Sequence, residues 1–284
     1  MRTTMINWKE IPKIDAHIHL TPDDVIEANK DCGSNFIDYG SVDDYIRIMK
    51  KYNIEQAFVM PFNDPCMLSM DFKVETANDN LRTFACKDKT HFKCFADVDI
   101  SKNLEQTLDE LKSILKQEEF IGIKIHPSNT GYPVDGMYYD RIFQFACDNN
   151  YLVEIHSYPR MNLEDDVCSP SRIRTIKEKY PKLRLSVAHM GGMQYKNLTN
   201  IDAYLNISAV LPDWVKKYGI KETNAILRSF DMEKLIFATD YPDSRCLEPD
   251  KIYEEYFNIL GKMDFSRQEA ENICKHNALK MIKF

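Results

Sequence analysis

The chain has 284 residues, a net charge of −7 at pH 7 and a pI near 5.6. Because it is acidic and has no run of lysines and arginines, binding to nucleic acid or to an anionic membrane surface is not expected. No apolar stretch of about 18 residues could span a bilayer, and the start of the chain lacks an apolar signal segment. The sequence therefore predicts a cytoplasmic protein.

The eight cysteines are scattered along the chain and form no C-x-x-C pair. In a cytoplasmic protein of this size, this distribution is typical of reduced thiols that pack as small apolar side chains. A cysteine-based zinc site is therefore disfavoured, and a metal ion would need nitrogen and oxygen ligands.

Apolar runs of strand length recur along the chain, and most of them are apolar on both faces. This pattern is typical of parallel strands that are covered by helices. The runs span residues 13–18, 56–60, 93–98, 121–125, 151–155, 183–188, 203–208 and 234–239. Between and after them, apolar residues recur with helical spacing at 43–52, 72–87, 104–117, 138–149, 170–179, 213–229, 249–261 and 266–282, whereas 190–202 has room only for a short helix.

Strands that alternate with helices, without a linker or a repeat, predict one domain that spans residues 1–284. We expect a single (β/α)8 TIM barrel with an additional C-terminal helix. An open doubly wound sheet would also fit this alternation. It normally carries a G-x-G-x-x-G loop after an early strand, and that motif is absent from the nine glycines of this chain.

Five of the seven histidines, and one aspartate, fall at the carboxyl ends of predicted strands. Parallel strands of a barrel bring these ends to one rim, where reactive groups gather. Taken singly, each residue is as consistent with a buried structural side chain or a helix cap. Together they predict a metal site at the rim, and they are His17, His19, His126, His156, His189 and Asp240.

His17 and His19 are two residues apart at the end of the first strand, so both side chains should point to the same face. Two imidazoles on one face, with a carboxylate nearby, suit Zn²⁺ and, less exclusively, other divalent ions of the first transition row. His91 precedes a strand and His276 lies off the apolar stripe of the last helix, so neither is expected at this site.

The order H-x-H, then His, then H-x-G-G, then T-D-Y-P resembles the amidohydrolase superfamily. It is closest to the amidohydrolase-related family that also contains non-oxidative decarboxylases, and the likeness extends from KIDAHIHL (13–20) to NALKMI (277–282). The resemblance implies one divalent metal ion, with zinc as the first choice. The ligands that it implies are His17, His19, His156 and Asp240.

By the same resemblance, His189 lies beside the metal-bound water or the substrate as an acid–base or electrostatic group. Asp240 is expected to accept a proton from the attacking water in addition to binding the metal. His126 has no universal counterpart in the family. We include it among the residues expected to bind substrate.

Lys124 and Glu154 each lie two residues before a rim histidine, so both should point inward one layer below the rim. A buried ion pair is the simpler interpretation, because an isolated buried charge is costly. The alternative is a carbamylated Lys124 that bridges two metal ions, as in other branches of the superfamily. Asp15 is expected in the same inward layer.

Tyr158, Arg160 and Arg245 follow strands of the predicted metal site, and arginine is suited to a bidentate grip on a carboxylate. We therefore expect them to bind a small carboxylated substrate. Asn63 and Asp64 either contact the substrate or form a loop turn.

The leading hypothesis is a metal-dependent hydrolase of a small lactone, ester or amide. The alternative is a metal-dependent, non-oxidative decarboxylase of an aromatic or unsaturated acid. A nuclease or phosphoesterase is disfavoured by the acidic charge and by a histidine where that branch carries a glutamate after the fourth strand. A non-catalytic barrel is the remaining interpretation.

Aromatic residues in 138–143 and 252–257 suggest a homodimer, but ordinary helix packing explains them equally well.

Overall fold

The computed structural model describes residues 6–62, 76–98, 100, 102–160, 165–242, 245 and 247–283. Eight parallel strands pair in chain order and alternate with helices as a (β/α)8 TIM barrel, which confirms the expected fold class. The strands are β1 (Lys13–Ile18), β2 (Ile54–Val59), β3 (Phe92–Asp97), β4 (Phe120–Ile125), β5 (Leu152–His156), β6 (Arg184–Ala188), β7 (Tyr204–Asn206) and β8 (Leu235–Ile236).

The helices form the outer layer and also contribute short segments at the rim. They are α1 (Asp23–Ala28), α2 (Asn35–Asp38), α3 (Val42–Tyr52), α4 (Ala77–Lys87), α5 (Leu104–Ile114), α6 (Pro127–Thr130), α7 (Met137–Asp148), α8 (Pro170–Lys179), α9 (Val210–Arg228), α10 (Pro249–Leu260), α11 (Arg267–Glu271) and α12 (Asn277–Ile282). A 3-10 segment, His189–Leu198, follows β6, and a π-helical turn, Asn272–His276, joins α11 to α12.

The short helices α1, α2 and α6 were not expected from the sequence, because segments of four to six residues show no helical period. Conversely, β8 is shorter than the apolar run 234–239. The backbone N–H of Phe237 donates to the Ile273 carbonyl (2.9 Å) in the π-helical turn instead of extending the pairing of β8. The start of the predicted helix 72–87, together with Asn63 and Asp64, lies outside the described residues.

The barrel is closed between β1 and the segment that follows β8. The amide of Asp240 donates to the carbonyl of His17 (3.0 Å), and the amide of His19 donates to the carbonyl of Tyr241 (2.7 Å). These two bonds fix the backbone of Asp240 against the H-x-H segment. The end of β1 and the segment after β8 thus meet at the predicted metal site.

The interior of the barrel is filled by apolar side chains from the strands, which form one cluster with the last helix. Ala278 and Met281 of α12 pack against this cluster, and the Met281 carbonyl accepts from Arg184 Nη2 (2.6 Å) at the start of β6. The expected C-terminal helix is therefore present, and it packs at the amino-terminal end of the strands. The other residues of the cluster come from the strands or from positions just after β2 and β8, and they are Ile14, Ala16, Phe58, Met60, Phe95, Ile121, Leu152, Ile236 and Ala238.

The prediction that Asp15 points inward with Lys124 is wrong. The register of β1 against β2 shifts between Asp15 and Ile18, so the simple two-residue alternation does not hold there. Ala16 belongs to the interior cluster, whereas Asp15 is fully buried against the helical layer and accepts a hydrogen bond from Tyr253 of α10 (2.6 Å). Burial raises the pKa of Asp15 to about 6.

Asp15 still supports the rim, although from outside the barrel. Its carboxylate accepts hydrogen bonds from the backbone amide (3.0 Å) and the hydroxyl (2.6 Å) of Thr239. Because Thr239 directly precedes Asp240, these bonds position the segment that carries the predicted ligand. The contact joins β1, the segment after β8 and α10.

No described helix is long and apolar enough to cross a membrane. The described cysteines are free thiols, as expected. The aromatic residues that suggested a homodimer pack within the subunit: Tyr139, Tyr253 and Tyr256 are at most 1% exposed. The homodimer remains a prediction without support from these side chains.

Tyr253→Phe should destabilise the fold in a pH-dependent manner. The folded-state pKa of Asp15 is raised to about 6, so above that pH the Tyr253 hydroxyl donates to a carboxylate, and below it to a neutral acid. Since hydrogen bonds to charged groups are stronger, we expect a loss of roughly 2–3 kcal/mol at pH 8 and about 1 kcal/mol at pH 5 in urea unfolding.

Tyr52→Phe is the matched control, because the Tyr52 hydroxyl donates to the exposed carboxyl of Asp250 (2.8 Å). Burial would raise the pKa of Asp250, but hydrogen bonds from Lys51 and Tyr52 outweigh that effect and lower it. Its effect on stability should be the same at both pH values. An equal loss at pH 5 and pH 8 for Tyr253→Phe would contradict an ionised Asp15 as the acceptor.

Candidate metal centre at the barrel rim

Three of the predicted ligands converge at the carboxyl end of the barrel. One nitrogen each of His17 and His19 and one oxygen of Asp240 lie within 4.8 Å of one another. Oδ1 of Asp240 is 3.3 Å from Nε2 of His17 and 3.6 Å from Nε2 of His19. Within the described residues, no other group of three or more histidines, cysteines or acids is arranged in this way.

The proton positions show that this triad suits a cation. Nδ1 of His17 is 2.7 Å from Oε1 of Glu154, a buried carboxylate, so the proton of the neutral ring is on Nδ1. The lone pair of His17 Nε2 therefore faces the carboxylate of Asp240. Two acceptors that face each other repel unless a proton or a metal ion lies between them. The donor set of two imidazole nitrogens and one carboxylate oxygen fits a divalent transition-metal ion.

His19 supplies the second nitrogen and has an unusual environment. Its Nδ1 is buried and has no hydrogen-bond partner in the described part of the chain. Its ring lies edge-to-face with the ring of Phe62, with centroids 5.2 Å apart. On the Nδ1 side the ring is held by packing, and its Nε2 faces Asp240.

His156 lies outside this triad but is linked to it through His189. Nδ1 of His156 is 3.0 Å from Nε2 of His189, and the His189 ring is 5.0 Å from that of His17. The His126 ring stacks on the His156 ring, with centroids 3.8 Å apart. The structure therefore brings all five rim histidines together, with His17, His19 and Asp240 on one side and His126, His156 and His189 on the other.

His126 has a defined proton position. The backbone N–H of Asn129 donates to Nδ1 of His126 (3.2 Å), so the proton of the neutral ring must be on Nε2. This Nε2–H has no hydrogen-bond partner among the described residues, and the ring is only partly buried. It is a free donor beside His156 at the rim.

A buried network supports the rim from below. Glu154 accepts hydrogen bonds from Lys124 (3.1 Å) and Ser186 (3.0 Å) in addition to His17. The ion pair expected between Lys124 and Glu154 is thus present, and both side chains are almost completely buried. Burial raises the pKa of Glu154 and lowers that of Lys124, while each group opposes the shift of the other.

Two residues at the end of β7 join this network and were missed in the sequence. Asn206 Nδ2 donates to Glu154 Oε2 (3.4 Å), and Asn206 Oδ1 accepts from the backbone amide of His189 (3.2 Å). Ser208 Oγ lies 2.8 Å from Nδ1 of His189. In the sequence NIS (206–208), polar residues alternate with an apolar one at the end of a strand. This pattern could have indicated the two residues, but neither side chain titrates or commonly binds metal, so the pattern is easily overlooked.

Burial keeps four of the five rim histidines neutral. It holds the pKa of His17, His126 and His156 well below the ordinary value, with Lys124 or a neighbouring histidine adding to the effect. Burial also lowers the pKa of His189 to about 4. Neutral imidazole is the form that binds metal, so these rings need no deprotonation at pH 7.

Asp240 is ionised at the same pH. Burial would raise its pKa, but the neighbouring His189 and His19 outweigh that effect, and the pKa lies below the ordinary value. His189 and Asp240 also have positive backbone φ angles, 61° and 69°. Non-glycine residues in this region are uncommon and cluster at functional sites, where surrounding contacts hold them.

An aromatic wall borders the triad. The rings of Phe36 and Phe62 pack edge-to-face, with centroids 4.7 Å apart, and both lie near His19. Phe36 belongs to α2, and together with Val25 and Ile37 it forms an apolar cluster over this side of the rim. Sequence analysis missed this wall, because single phenylalanines in loops carry no periodic signal.

Two of the three loop residues expected to bind the substrate carboxylate have side chains that are already engaged in this structure. Tyr158 OH donates to Oδ2 of Asp213 (2.5 Å), and Arg245 Nη1 pairs with Glu255 (2.8 Å). Arg160 is exposed, and its backbone amide donates to Asp166 (3.2 Å). The Tyr158 ring lies beside the His189 ring, with centroids 5.9 Å apart. Their role in substrate binding stays a prediction.

Comparison with known proteins gives one family and a set of similar folds. An amidohydrolase family model matches residues 14–284. The chain is similar to 5-carboxyvanillate decarboxylase from Novosphingobium aromaticivorans complexed with manganese and 4-hydroxy-3-methoxy-5-nitrobenzoic acid (16% identity, TM-score 0.69, 97% of each chain covered). No curated protein matches the chain.

Two further solved structures have comparable similarity. One is 2,6-dihydroxybenzoate decarboxylase from Rhizobium (13% identity, TM-score 0.66), where 95% of this chain and 98% of that chain are covered. The other is a probable 2-pyrone-4,6-dicarboxylic acid hydrolase from Acinetobacter baumannii with citric acid bound (14% identity, TM-score 0.66, 96% and 99% covered). At identities this low, the structural similarity demonstrates a shared fold and does not decide between the two reactions.

Addition of Mn²⁺ or Zn²⁺ to chelator-treated protein should raise the melting temperature. An ion at 100 times its Kd stabilises the native state by about 2.7 kcal/mol. Asp240→Asn should abolish most of this effect, because the amide cannot supply the anionic ligand. Asparagine tolerates positive φ, so the backbone of residue 240 is not the cause of the loss.

His91→Ala is the matched control, since His91 lies just before β3, at the opposite end of the strands, and pairs with Asp88 (2.6 Å). This variant should retain the full metal-induced shift, measured by scanning fluorimetry at several metal concentrations. An equal shift in Asp240→Asn and in the wild type would exclude the triad as the metal site.

Proposed function

The chain belongs to the amidohydrolase family, and we propose that it is a metal-dependent, non-oxidative decarboxylase of a hydroxylated aromatic carboxylic acid. The observation that carries this proposal is the metal triad bordered by the wall of Phe36 and Phe62, which offers a cation to a carboxylate and an apolar face to a ring. Similar structures support it, since two of the three described above are aromatic acid decarboxylases. The hydrolase favoured by the sequence becomes the second candidate.

We assign metal binding to His17, His19 and Asp240, with His156 as a further ligand through Nε2. The lone pair on His156 Nε2 has no hydrogen-bond donor among the described residues. When bound, the ion acts as a Lewis acid that attracts the carboxylate and an adjacent oxygen of the substrate. Manganese is bound in one similar decarboxylase, so either Mn²⁺ or Zn²⁺ is compatible with this donor set.

One ion is more compatible with the network than two. Nζ of Lys124 donates to Oε1 of Glu154 at 3.1 Å, so the amine is already engaged in the buried pair. A carbamylated Lys124 would place a second anion against Glu154 in a site without solvent, and like charges there are strongly unfavourable. We therefore place Lys124 in a supporting role.

The reaction requires one proton at the ring carbon that loses CO2. The bond between this carbon and the carboxyl group breaks, its electron pair stays on the ring, and a proton takes the place of the carboxyl group. An ortho or para hydroxyl group on the ring favours this step, because it releases electrons to the carbon that is protonated. For that reason we specify a hydroxylated aromatic acid.

Asp240 and His189 are the groups we assign to this proton transfer. The pKa of Asp240 lies below its ordinary value, and that of His189 is lowered to about 4. A proton that reaches either group at pH 7 is held weakly, so it is readily given to a substrate carbon. The Phe36 and Phe62 wall limits the access of water on the other side of His19.

His126 is the group we assign to substrate orientation. Its free Nε2–H lies beside the proposed ligand His156 and can donate to an oxygen of a substrate carboxylate. Arg245 and Tyr158 are engaged with Glu255 and Asp213, so they are less direct candidates in this arrangement.

A hydrolase of a cyclic ester is the second candidate, and the similarity to a probable 2-pyrone-4,6-dicarboxylic acid hydrolase favours it. The same triad would then activate a water molecule, and Asp240 would accept its proton. The two reactions differ in what enters the product. Hydrolysis adds an oxygen atom from water, and decarboxylation adds a hydrogen.

The decisive assay uses Mn²⁺-loaded protein with 2,6-dihydroxybenzoate, 5-carboxyvanillate and 2-pyrone-4,6-dicarboxylate. We expect release of CO2 from at least one hydroxybenzoate, with one deuterium in the ring when the reaction runs in D2O. Mass spectrometry in H2¹⁸O should detect no ¹⁸O in the product. Incorporation of ¹⁸O from water into the product of the pyrone, without release of CO2, would replace the decarboxylase proposal by the hydrolase.

His126→Ala should weaken substrate binding more than it slows turnover. Loss of one hydrogen bond to a carboxylate costs roughly 1.5–3 kcal/mol, which corresponds to a rise of about 10- to 100-fold in KM. His276→Ala, at an exposed position on the far end of the barrel, is the control and should leave KM unchanged. An unchanged KM in His126→Ala would remove His126 from the substrate site.

A further inference from the structure

We infer that Asn206 is a positioning residue whose side-chain amide determines which nitrogen of His189, and through it which nitrogen of His156, carries the proton. The consequence is a free lone pair on Nε2 of His156, the atom assigned above to the metal ion. The inference rests on the proposed metal site for its purpose, but the proton positions follow from hydrogen bonds within the chain.

The orientation of the Asn206 amide is fixed by a backbone group. The amide N–H of His189 can only donate, and it points to the side chain of Asn206 at 3.2 Å, so the atom there is the carbonyl oxygen. The NH2 group then faces Glu154 Oε2 at 3.4 Å, and a carboxylate is the acceptor it requires. Both ends of the amide are thus assigned by chemistry, without ambiguity between oxygen and nitrogen.

The proton of Ser208 is fixed next. Its Oγ is 2.6 Å from Oδ1 of Asn206, which only accepts, so the hydroxyl donates to Asn206. The same hydroxyl must therefore accept from Nδ1 of His189, 2.8 Å away. The backbone carbonyl of Ser208 also lies 3.1 Å from this nitrogen and can only accept. Two acceptors around Nδ1 place the proton of His189 on that atom.

The neutral His189 ring then has its lone pair on Nε2. That atom is 3.0 Å from Nδ1 of His156, so His156 must donate through Nδ1. Its remaining nitrogen, Nε2, is left without a proton, as a metal ligand requires. The amide of Asn206 thus acts on His156 through Ser208 and His189, without a direct contact.

The buried carboxylate of Glu154 also determines which nitrogen of His17 carries the proton. Oε1 of Glu154 takes the Nδ1–H of His17 (2.7 Å), while Oε2 of Glu154 accepts from Asn206. One carboxylate and one amide therefore define the proton positions of His17 directly and of His156 by relay. Asn206 and Ser208 are completely buried, so water cannot replace either partner without rearrangement.

Asparagine is the residue that this position demands. It must donate to Glu154 with one end and accept from His189 and Ser208 with the other, and an amide combines both functions in one short side chain. Aspartate would place a second carboxylate against Glu154. Leucine of similar size would leave the His189 amide and the Ser208 hydroxyl free to choose other partners.

Nitrogen-15 NMR of histidine-labelled, metal-free protein tests the proton positions without any variant. We expect the neutral His189 ring to be protonated on Nδ1 and bare on Nε2, and His156 to show the same pattern. A proton on Nε2 of His156 or of His189 in the metal-free protein would overturn the inference. Since no metal or substrate is present, this result is independent of the proposed reaction.

The variant Asn206→Leu tests the consequence for metal binding. Removal of a group that orients a metal-bound histidine typically weakens metal affinity 10- to 100-fold, measured here by competition with a chromophoric chelator. Asn206→Leu should also give a mixture of the two His189 tautomers by NMR. Retention of affinity within threefold, with one tautomer unchanged, would overturn the inference.

Ser186→Ala is the matched control, because Ser186 donates to the same oxygen of Glu154 (3.0 Å) and is equally buried, but it does not contact His189. It should keep the His189 tautomer and lose less than threefold in metal affinity. An equal loss in both variants would mean that the effect passes through Glu154 and not through the relay. If Asn206→Leu does not fold, the spectrum of the unaltered protein still decides the proton positions, and Ser208→Ala, which leaves the backbone carbonyl of residue 208 as an acceptor for His189 Nδ1, should keep the same tautomer.

Discussion

A carboxylate buried in the middle of the barrel, Glu154, imposes the arrangement around it. An ionised carboxylate without solvent must be surrounded by donors, and removal of one partner leaves a costly uncompensated charge. Lys124, His17, Ser186 and Asn206 supply these donors from β4, β1, β6 and β7. The requirement to satisfy one anion therefore connects four strands and fixes the ring of one proposed metal ligand.

The second constraint is the closure of the barrel at the rim. Asp240 is held by a backbone bond to His17 and, through Thr239, by the buried Asp15. These contacts maintain the positive φ angle of Asp240, which an unsupported aspartate adopts infrequently. The backbone is thus set before any ion binds, and the carboxylate needs little reorganisation to act as a ligand. Preorganisation of this kind is what makes electrostatic catalysis effective.

The sequence was sufficient to predict the features that follow from hydrophobic periodicity and from the position of a residue at the end of a strand. The strand-end histidines and Asp240 meet at one rim because carboxyl ends of parallel strands in a barrel must converge there, whatever the loops do. Alternation failed at Asp15, because a register shift in β1 changes the face of the residues before it, and no local residue type marks such a shift. Asn206, Ser208 and Phe36 were missed because their importance depends on partners far away in the chain.

The balance of charge at the rim bears on the class of substrate. The charges of Lys124 and Glu154 cancel, four of the rim histidines are neutral because burial lowers their pKa values, and Asp240 contributes one negative charge. A divalent ion would leave one positive charge in a site bordered by Phe36 and Phe62, where an unbalanced charge is unfavourable. An aromatic carboxylate cancels that charge and covers the apolar wall with its ring, whereas an uncharged lactone or ester cancels nothing. A carboxylated cyclic ester such as 2-pyrone-4,6-dicarboxylate cancels the charge as well, so the charge favours an anionic substrate for either reaction, and the wall of Phe36 and Phe62 favours one with a flat ring.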